Sequence, residues 1–182
     1  MHIQKKKKLL FDKKILELTI NRLCQHLIEN HDQFKNTVLI GLQPRGTQFA
    51  LRIKNRLMEL LKCEIHCGFL DITFYRDDFR RSTHPLSPNS TKIDFLIEGK
   101  KVVLIDDVLC TGRTVRSALD ALTAFGRPEK IELLVLIDRT YNRELPIEPT
   151  YIGIRVNTLD TQKIITEIDD NGFNDKIWIV DK

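Results

Sequence analysis

The stretch from Val102 to Thr114 constrains the fold more than any other part of this chain. Residues 102–105 are four consecutive branched aliphatic residues, a pattern typical of a strand covered on both faces in a parallel sheet. Asp106 and Asp107 follow directly, and residues 111–114 lead into an apolar helical pattern. In open α/β sheets the carboxyl ends of the strands border the ligand crevice, and the first amides of a helix lack partners within that helix. The stretch therefore predicts an acidic pair beside a phosphate-binding helix start.

The rest of the chain favours an α/β fold. Helical periodicity over residues 12–29 (Leu16, Ile20, Leu23, Leu27) predicts a helix with Asp12 as its N-cap. A second helical pattern over 49–60 alternates with short apolar runs, and Gly126 and Pro128 follow a third over 115–122. This order predicts a mostly parallel, right-handed sheet flanked by helices, within one domain spanning residues 1–182. The expected strands are 38–40, 65–75, 102–105 and 131–137, and three later segments, 151–154, 164–168 and 177–180, complete the sheet edge or form a small cap.

Composition indicates an ordinary globular protein. Of 182 residues 42% are hydrophobic and 30% charged, and no apolar run approaches the ~20 residues that span a bilayer. The four cysteines lack the spacing of a disulfide scaffold, so we expect a cytoplasmic chain without membrane contact. Cys63, His66 and Cys67 suggest a metal site, but the alternation there favours a strand.

Two segments carry no apolar periodicity. The lysine run at residues 5–8 predicts a flexible basic tail over residues 1–11 and contributes much of the net charge of +4. Residues 76–95 include a stretch rich in charge, proline and Ser/Thr. A loop of this length inside a compact domain is usually functional or disordered, so we predict a mobile active-site loop.

The acidic pair has a structural and a functional interpretation. Acids after a strand often form turns, and a threonine before an apolar helix is a common cap. However, adjacent carboxylates at a sheet edge repel each other by about 1 kcal/mol, and the helix start beside them favours an anion. A ligand with both hydroxyls and a phosphate satisfies both features. The motif lacks the Gly-Lys-Ser/Thr ending of a Walker A loop and the Gly-x-Gly-x-x-Gly of a dinucleotide site.

Residues 102–114 resemble the phosphoribosyl pyrophosphate motif of type I phosphoribosyltransferases. Residues 70–78, 112–116, 126–128 and 143–147 together resemble the PyrR family of pyrimidine operon regulators and uracil phosphoribosyltransferases. The resemblance implies a type I phosphoribosyltransferase-like sheet with a small hood, located here near residues 151–158, whose backbone groups recognise the base. It also implies Mg²⁺-dependent transfer from 5-phosphoribosyl 1-diphosphate (PRPP) to uracil, giving UMP and diphosphate, by a homo-oligomer. A phosphoribosyltransferase for another nucleobase is an alternative.

The resemblance also implies roles for individual residues. Asp106 and Asp107 would hold the ribose hydroxyls directly or through Mg²⁺, and Arg45, Arg76 and Arg80 would act on the diphosphate, the last two from the mobile loop. The other implied substrate-binding residues are Pro44, Gly46, Val108, Leu109, Cys110, Thr111, Gly112, Arg113, Thr114 and Val156.

Members of this family can also bind pyrimidine-leader RNA through a basic surface. Its parts are the first helix and an Arg-Gly-His-Arg-Glu-Leu-Pro-Ile-Arg turn. Here residues 139–148 have one residue more, no glycine or histidine, and Glu148 where arginine is usual. In the first helix Arg22 remains, but Asn21 and Gln25 replace the expected threonine and histidine. Fewer cations mean fewer phosphate contacts, so the sequence supports transfer chemistry better than RNA binding.

Overall fold

The main sheet has five parallel strands in the order β3-β2-β4-β5-β6. It is seen in a computed structural model that describes residues 7–77, 89–159, 161–169, 172 and 175–182. The strands are β2 (Thr37–Leu42), β3 (Cys67–Leu70), β4 (Lys101–Leu109), β5 (Lys130–Arg139) and β6 (Tyr151–Val156). The helices are α1 (Lys13–Asn30), α2 (Gly46–Leu61) and α3 (Arg113–Leu122). The predicted α/β architecture is confirmed.

Side chains cover both faces of this sheet. One face packs under α1 and α2 through residues such as Leu23, Phe49 and Val103, and the other packs under α3 through residues such as Leu104 and Val115. Strand β4 is buried on both faces, as its unbroken aliphatic run predicted. Because β4 lies at the centre of the sheet, Asp106 and Asp107 near its carboxyl end are held by a rigid support.

A second, three-stranded sheet lies apart from the first, with the order β1-β8-β7. Its strands are β1 (Lys7–Phe11), β7 (Gln162–Glu167) and β8 (Lys176–Asp181), all antiparallel. We call this sheet the hood. The expectation of a flexible tail over residues 1–11 is wrong for Lys7–Phe11, because this segment pairs with β8 and buries Phe11. Its partner lies at the far end of the chain, so no local pattern indicated the pairing.

The hood is therefore built from other residues than expected. Tyr151–Val156, predicted as part of it, forms edge strand β6 of the main sheet, with the Tyr151 side chain fully buried. The two later apolar segments form β7 and β8 instead. The sequence left open whether these three segments complete the sheet edge or form a cap. The first segment forms the sheet edge, and the other two form the cap.

The strand predicted over residues 65–75 is shorter than expected. It ends at Leu70 because the Asp71 carboxylate accepts hydrogen bonds from the backbone and hydroxyl of Thr73, which starts a single 3-10 turn at Thr73–Tyr75. The other Asp71 oxygen accepts from Asn89 N at 2.9 Å. Asp71 thus contacts the chain on both sides of residues 78–88. Those residues, Arg80 among them, lie outside the described part of the chain.

Helix α1 begins as its sequence predicted. Asp12 Oδ1 accepts from the amide of Ile15 at 2.8 Å, which satisfies one of the unpaired donors in the first turn.

Within the described residues no helix is long and apolar enough to cross a membrane.

Candidate active site

A cleft of about 750 Å³ opens at the carboxyl end of the main sheet, between that sheet and the hood. We call it the main cleft. Residues from the predicted site and from elsewhere line it: Gln43, Pro44, Arg45, Ile72, Arg76, Asp106, Asp107, Val108, Cys110, Thr114, Arg139, Lys163, Ile164, Ile165 and Thr166. The location is the one expected for ligands in an open α/β sheet.

The acidic pair lies at this cleft with little solvent around it. Asp106 is 7% exposed and Asp107 is 3% exposed. Burial, and then the neighbouring charge of Asp107, raise the pKa of Asp106 well above its usual range, whereas the Arg45 guanidinium opposes this shift. The amide of Asp107 donates to Asp106 Oδ1 at 2.9 Å. This arrangement favours a partner that brings hydroxyl donors or positive charge.

The predicted phosphate loop follows β4 directly. Gly112 has φ +91°, a left-handed backbone conformation that residues with a side chain rarely adopt, and α3 begins at the next residue. Within the loop, the amide of Arg113 donates to Thr111 Oγ1 at 3.3 Å. A smaller compartment of about 230 Å³, the side cleft, is lined by Arg76, Asp77, Thr111, Arg113, Thr114 and Ser117. Thr114 lines both clefts, so the start of α3 connects the acidic pair to an anion-sized compartment.

The Arg113 side chain lies between two carboxylates. Its guanidinium contacts Asp77 at 2.5 Å and Glu144 at 2.7 Å. Both hydrogen bonds raise the pKa of Arg113 further. The side chain thus links the segments on either side of the phosphate loop, and its backbone amide remains the group suited to a phosphate.

The turn after β2 brings Pro44 and Arg45 to the main cleft, and both are exposed. This turn approaches β4 very closely: a Cβ on Gly46 would lie 2.5 Å from the carbonyl oxygen of Ile105. Only glycine permits that approach, which brings the start of α2 against the strand end that carries Asp106. Gln43 continues the turn, donating from Nε2 to the Ser90 carbonyl at 2.8 Å.

Some predicted site residues lie elsewhere. Leu109 is 2% exposed and packs in the core between the sheet and α3, while Val156 is 7% exposed and packs on the opposite face. Gly46 supports the cleft without lining it. No cluster of three or more His, Cys, Asp or Glu side chains suited to a metal occurs in the described part of the chain. Asp106 and Asp107 are the adjacent carboxylates that line the main cleft.

Sequence reasoning missed the hood wall of the main cleft, which residues 163–166 of β7 form. Thr166 Oγ1 donates a hydrogen bond of 2.5 Å to Asp107 Oδ2. It also missed Arg139, which is 8% exposed and donates to Thr158 Oγ1 at 2.6 Å and to the Gln162 carbonyl at 3.1 Å. These contacts join segments that are far apart in the sequence. The one available signal was a polar residue, such as Thr166, within a short apolar segment.

Comparison with known proteins decides the family. A sequence model of the phosphoribosyl transferase domain matches residues 8–171. The chain belongs to the phosphoribosyltransferase family. Within that family it belongs with PyrR proteins: it is 40% identical to the bifunctional protein PyrR of Enterococcus faecalis over 95% of this chain and 96% of the relative. It is 42% identical to the PyrR of Actinobacillus pleuropneumoniae over 86% and 87%.

Solved phosphoribosyltransferases share the fold. The hypoxanthine phosphoribosyltransferase of Trypanosoma cruzi superposes with a TM-score of 0.71 at 16% identity, covering 96% of this chain and 97% of the other. The hypoxanthine phosphoribosyltransferase of Staphylococcus aureus gives 0.67 at 21% identity, covering 87% and 81%. At such identities the likeness shows the architecture alone, and the type I phosphoribosyltransferase fold predicted from the sequence is confirmed.

Proposed function

We propose that this chain transfers the 5-phosphoribosyl group of PRPP to uracil, forming UMP and releasing diphosphate. One observation carries the proposal: the buried acidic pair and the phosphate loop form one strand-loop-helix unit at the edge of the main cleft. A ribose with free hydroxyls and a 5-phosphate matches both halves of that unit. Membership of the phosphoribosyltransferase family supports the reaction class.

The acids act on the sugar. Asp106 and Asp107 accept hydrogen bonds from the ribose hydroxyls, and their negative charge stabilises the positive charge that develops at the anomeric carbon as diphosphate leaves. The 5-phosphate lies at the start of α3, where backbone amides of residues 111–114 and the hydroxyls of Thr111 and Thr114 donate to it.

The diphosphate requires positive charge. Arg45 and Arg76 line the main cleft and are exposed, and a guanidinium binds phosphate oxygens through two parallel hydrogen bonds. Arg80, in the undescribed segment, stays a prediction. Asp106 and Asp107 also fit Mg²⁺, which proteins usually bind through one or two carboxylates together with substrate phosphates. Bound there, the ion would supply charge neutralisation for the leaving diphosphate.

The base lies against the hood. Residues 163–166 of β7 form the wall of the main cleft that faces the acidic pair, and β7 is an edge strand of its sheet. Backbone groups of such an edge can read the hydrogen-bonding pattern of uracil. The prediction for Val156 concerns its backbone groups, which stay a candidate contact to the base, and its side chain is buried in the core.

A turnover assay tests the proposal. Purified protein is given PRPP, Mg²⁺ and one of uracil, hypoxanthine, guanine or adenine, and nucleotide formation is measured for each base. We expect UMP formation from uracil and little product from the purines. No product from any base would refute phosphoribosyl transfer, and preference for a purine would refute the uracil assignment alone.

Regulation of pyrimidine operon transcription is a second candidate function, favoured by membership among proteins named bifunctional PyrR. Two cations of the expected RNA surface are engaged within the chain. Arg22 donates to the carbonyls of Ile152 and Gly153, and Arg143 donates to Asp138 and to the Cys110 carbonyl. Binding of RNA phosphates through these arginines would compete with those contacts.

Filter binding distinguishes this second function. Pyrimidine-leader RNA and a scrambled RNA of equal length are titrated with and without UMP, at two salt concentrations. A preference for the leader sequence that UMP strengthens would support regulation, whereas equal binding would refute it. Light scattering of the same samples tests the predicted homo-oligomer.

A further inference from the structure

We propose that Thr166 of the hood is a positioning residue that holds the Asp107 carboxylate in the orientation needed for the ribose. This inference deepens the proposed function, because it rests on phosphoribosyl binding at the acidic pair. It concerns a contact across the main cleft between two separate sheets, the hood and the main sheet.

The contact is specific in its geometry. The Thr166 hydroxyl donates to Asp107 Oδ2 at 2.5 Å, although the residues are 59 positions apart. Asp107 is 3% exposed, so little water competes for its carboxylate. A hydroxyl has one proton to donate, and it is directed here at one carboxylate oxygen. A hydrogen bond to a charged group in such surroundings is about twice as strong as one between neutral groups.

The support of Thr166 is rigid. It pairs with Ile177 of β8, which is fully buried, and Ile164, two residues earlier on the same face of β7, packs in the core at 7% exposure. The hydroxyl is therefore held by a packed strand rather than by a loop. Threonine also has fewer accessible rotamers than an unbranched side chain, which limits how far the donor can move.

The two acids differ in what orients them. Asp106 Oδ1 accepts from the amide of Asp107, so the adjacent backbone holds it. Asp107 is oriented from the hood instead. Because a carboxylate oxygen can accept more than one hydrogen bond, the Thr166 contact leaves Asp107 able to accept ribose hydroxyls. Thr166 thereby couples the position of the hood to the ribose subsite.

The experiment compares Thr166→Val, which keeps the shape and removes the hydroxyl, with Thr166→Ser, which keeps the hydroxyl. Thr161→Val makes the same chemical change at an exposed position just before β7 and serves as the matched control. PRPP binding is measured by calorimetry, and KM for PRPP, KM for uracil and kcat are measured by turnover.

We expect Thr166→Val to weaken PRPP binding and raise its KM about tenfold, the size expected for loss of one hydrogen bond to a charged group. KM for uracil and kcat change less than twofold. Thr166→Ser recovers most of the PRPP affinity, and Thr161→Val behaves as wild type. A merely structural role would raise both KM values and lower kcat together, and the serine and valine variants would behave alike. Unchanged PRPP affinity in Thr166→Val overturns the inference.

A second measurement needs no ligand or turnover. The free energy of unfolding is determined by urea for wild type, Thr166→Val, Asp107→Asn and the double variant. If the side chains interact, the double variant loses less than the sum of the single losses. Additive effects overturn the inference. If wild type binds PRPP but forms no UMP, the uracil assignment fails. The calorimetry and the unfolding cycle still test the role of Thr166 in that case.

Discussion

Buried carboxylates occur at opposite ends of the main sheet, and their surroundings differ. At the amino end, Glu132 accepts from Lys130 Nζ at 2.6 Å and contacts His31 Nε2 at 3.0 Å. At the carboxyl end, Asp106 is buried beside a second acid, and its pKa is raised. Glu132 is surrounded by cationic and hydroxyl partners, whereas the nearest acidic neighbour of Asp106 is another carboxyl group at an open cleft.

The difference distinguishes structure from function. A buried carboxylate that has its partners within the fold stabilises the native state, and removing it leaves those partners unsatisfied. A buried acid held against another acid at an open cleft destabilises the empty protein, and a proton or a bound ligand relieves the repulsion. Changes at the carboxyl end should therefore affect turnover, and changes at the amino end should affect stability.

The largest effect is expected at the carboxyl end. Asp107→Asn should lower kcat/KM for PRPP about 100-fold, because in the proposed reaction it removes a charge that stabilises the transition state. The free energy of unfolding should change far less, since the pair repels itself in the empty site. Turnover and urea unfolding are compared with Asp32→Asn, whose side chain is 83% exposed and lies far along the chain from the site. Equal losses of folding and activity would contradict the functional assignment.

Glu132→Gln should reverse this pattern. It removes the charge that Lys130 and His31 contact, and we expect a loss of about 2 kcal/mol in the free energy of unfolding. Turnover of the folded variant should stay close to wild type. The exposed Glu129→Gln provides the control, with a change below about 0.5 kcal/mol. A large loss of turnover in folded Glu132→Gln would show that the two ends are coupled.

Tyr151→Phe examines the same cluster more finely. The Tyr151 hydroxyl lies 3.0 Å from His31 Nε2 and 3.4 Å from Glu132 Oε2, so its removal should cost about 1 kcal/mol of stability. Burial, followed by the charge of Glu132, raises the pKa of this phenol, which is therefore neutral at physiological pH. Urea unfolding of Tyr151→Phe is compared with that of Tyr141→Phe, at a residue that is 77% exposed. Equal stabilities of the two variants would show that the Tyr151 hydroxyl does not contribute to the stability of this cluster.

The smallest effect is a dependence of stability on pH. Burial lowers the pKa of His31 below its ordinary 6.5, although Glu132 opposes the shift. Between the folded pKa and 6.5 the unfolded chain binds a proton that the folded chain does not, so stability declines as pH falls through this window. The raised pKa of Asp106 acts in the opposite direction, stabilising the fold as pH falls below it.

Unfolding is therefore followed from pH 8 to pH 5.5 in Asp106→Asn, which removes the opposing group, and in Asp106→Asn combined with His31→Gln. The difference between the two curves isolates His31. Parallel curves would mean that His31 does not titrate differently on folding. Asp106→Asn alone should be more stable than wild type at pH 7.

How far the sequence predicts this protein depends on the range of each contact. Residues 102–114 predict a strand, an acidic pair and a helix start because those features depend on neighbours along the chain. Helix α1 and its Asp12 cap are predicted for the same reason. By contrast, the lysine run predicts a tail that includes Lys7–Phe11, and this prediction is wrong because the partner strand β8 is about 170 residues away and leaves no local signal. Periodicity reports which face is buried and not against what.

The same distinction applies to the candidate site. The sequence alone determined the acidic pair at a strand end and the loop and helix start that follow it, since both are local features. Only the tertiary structure decided that β7 forms the hood wall, that Arg113 is held between Asp77 and Glu144, and that Thr166 contacts Asp107. Those contacts join segments whose separation gives no local signal, and packing of the two sheets brings them together.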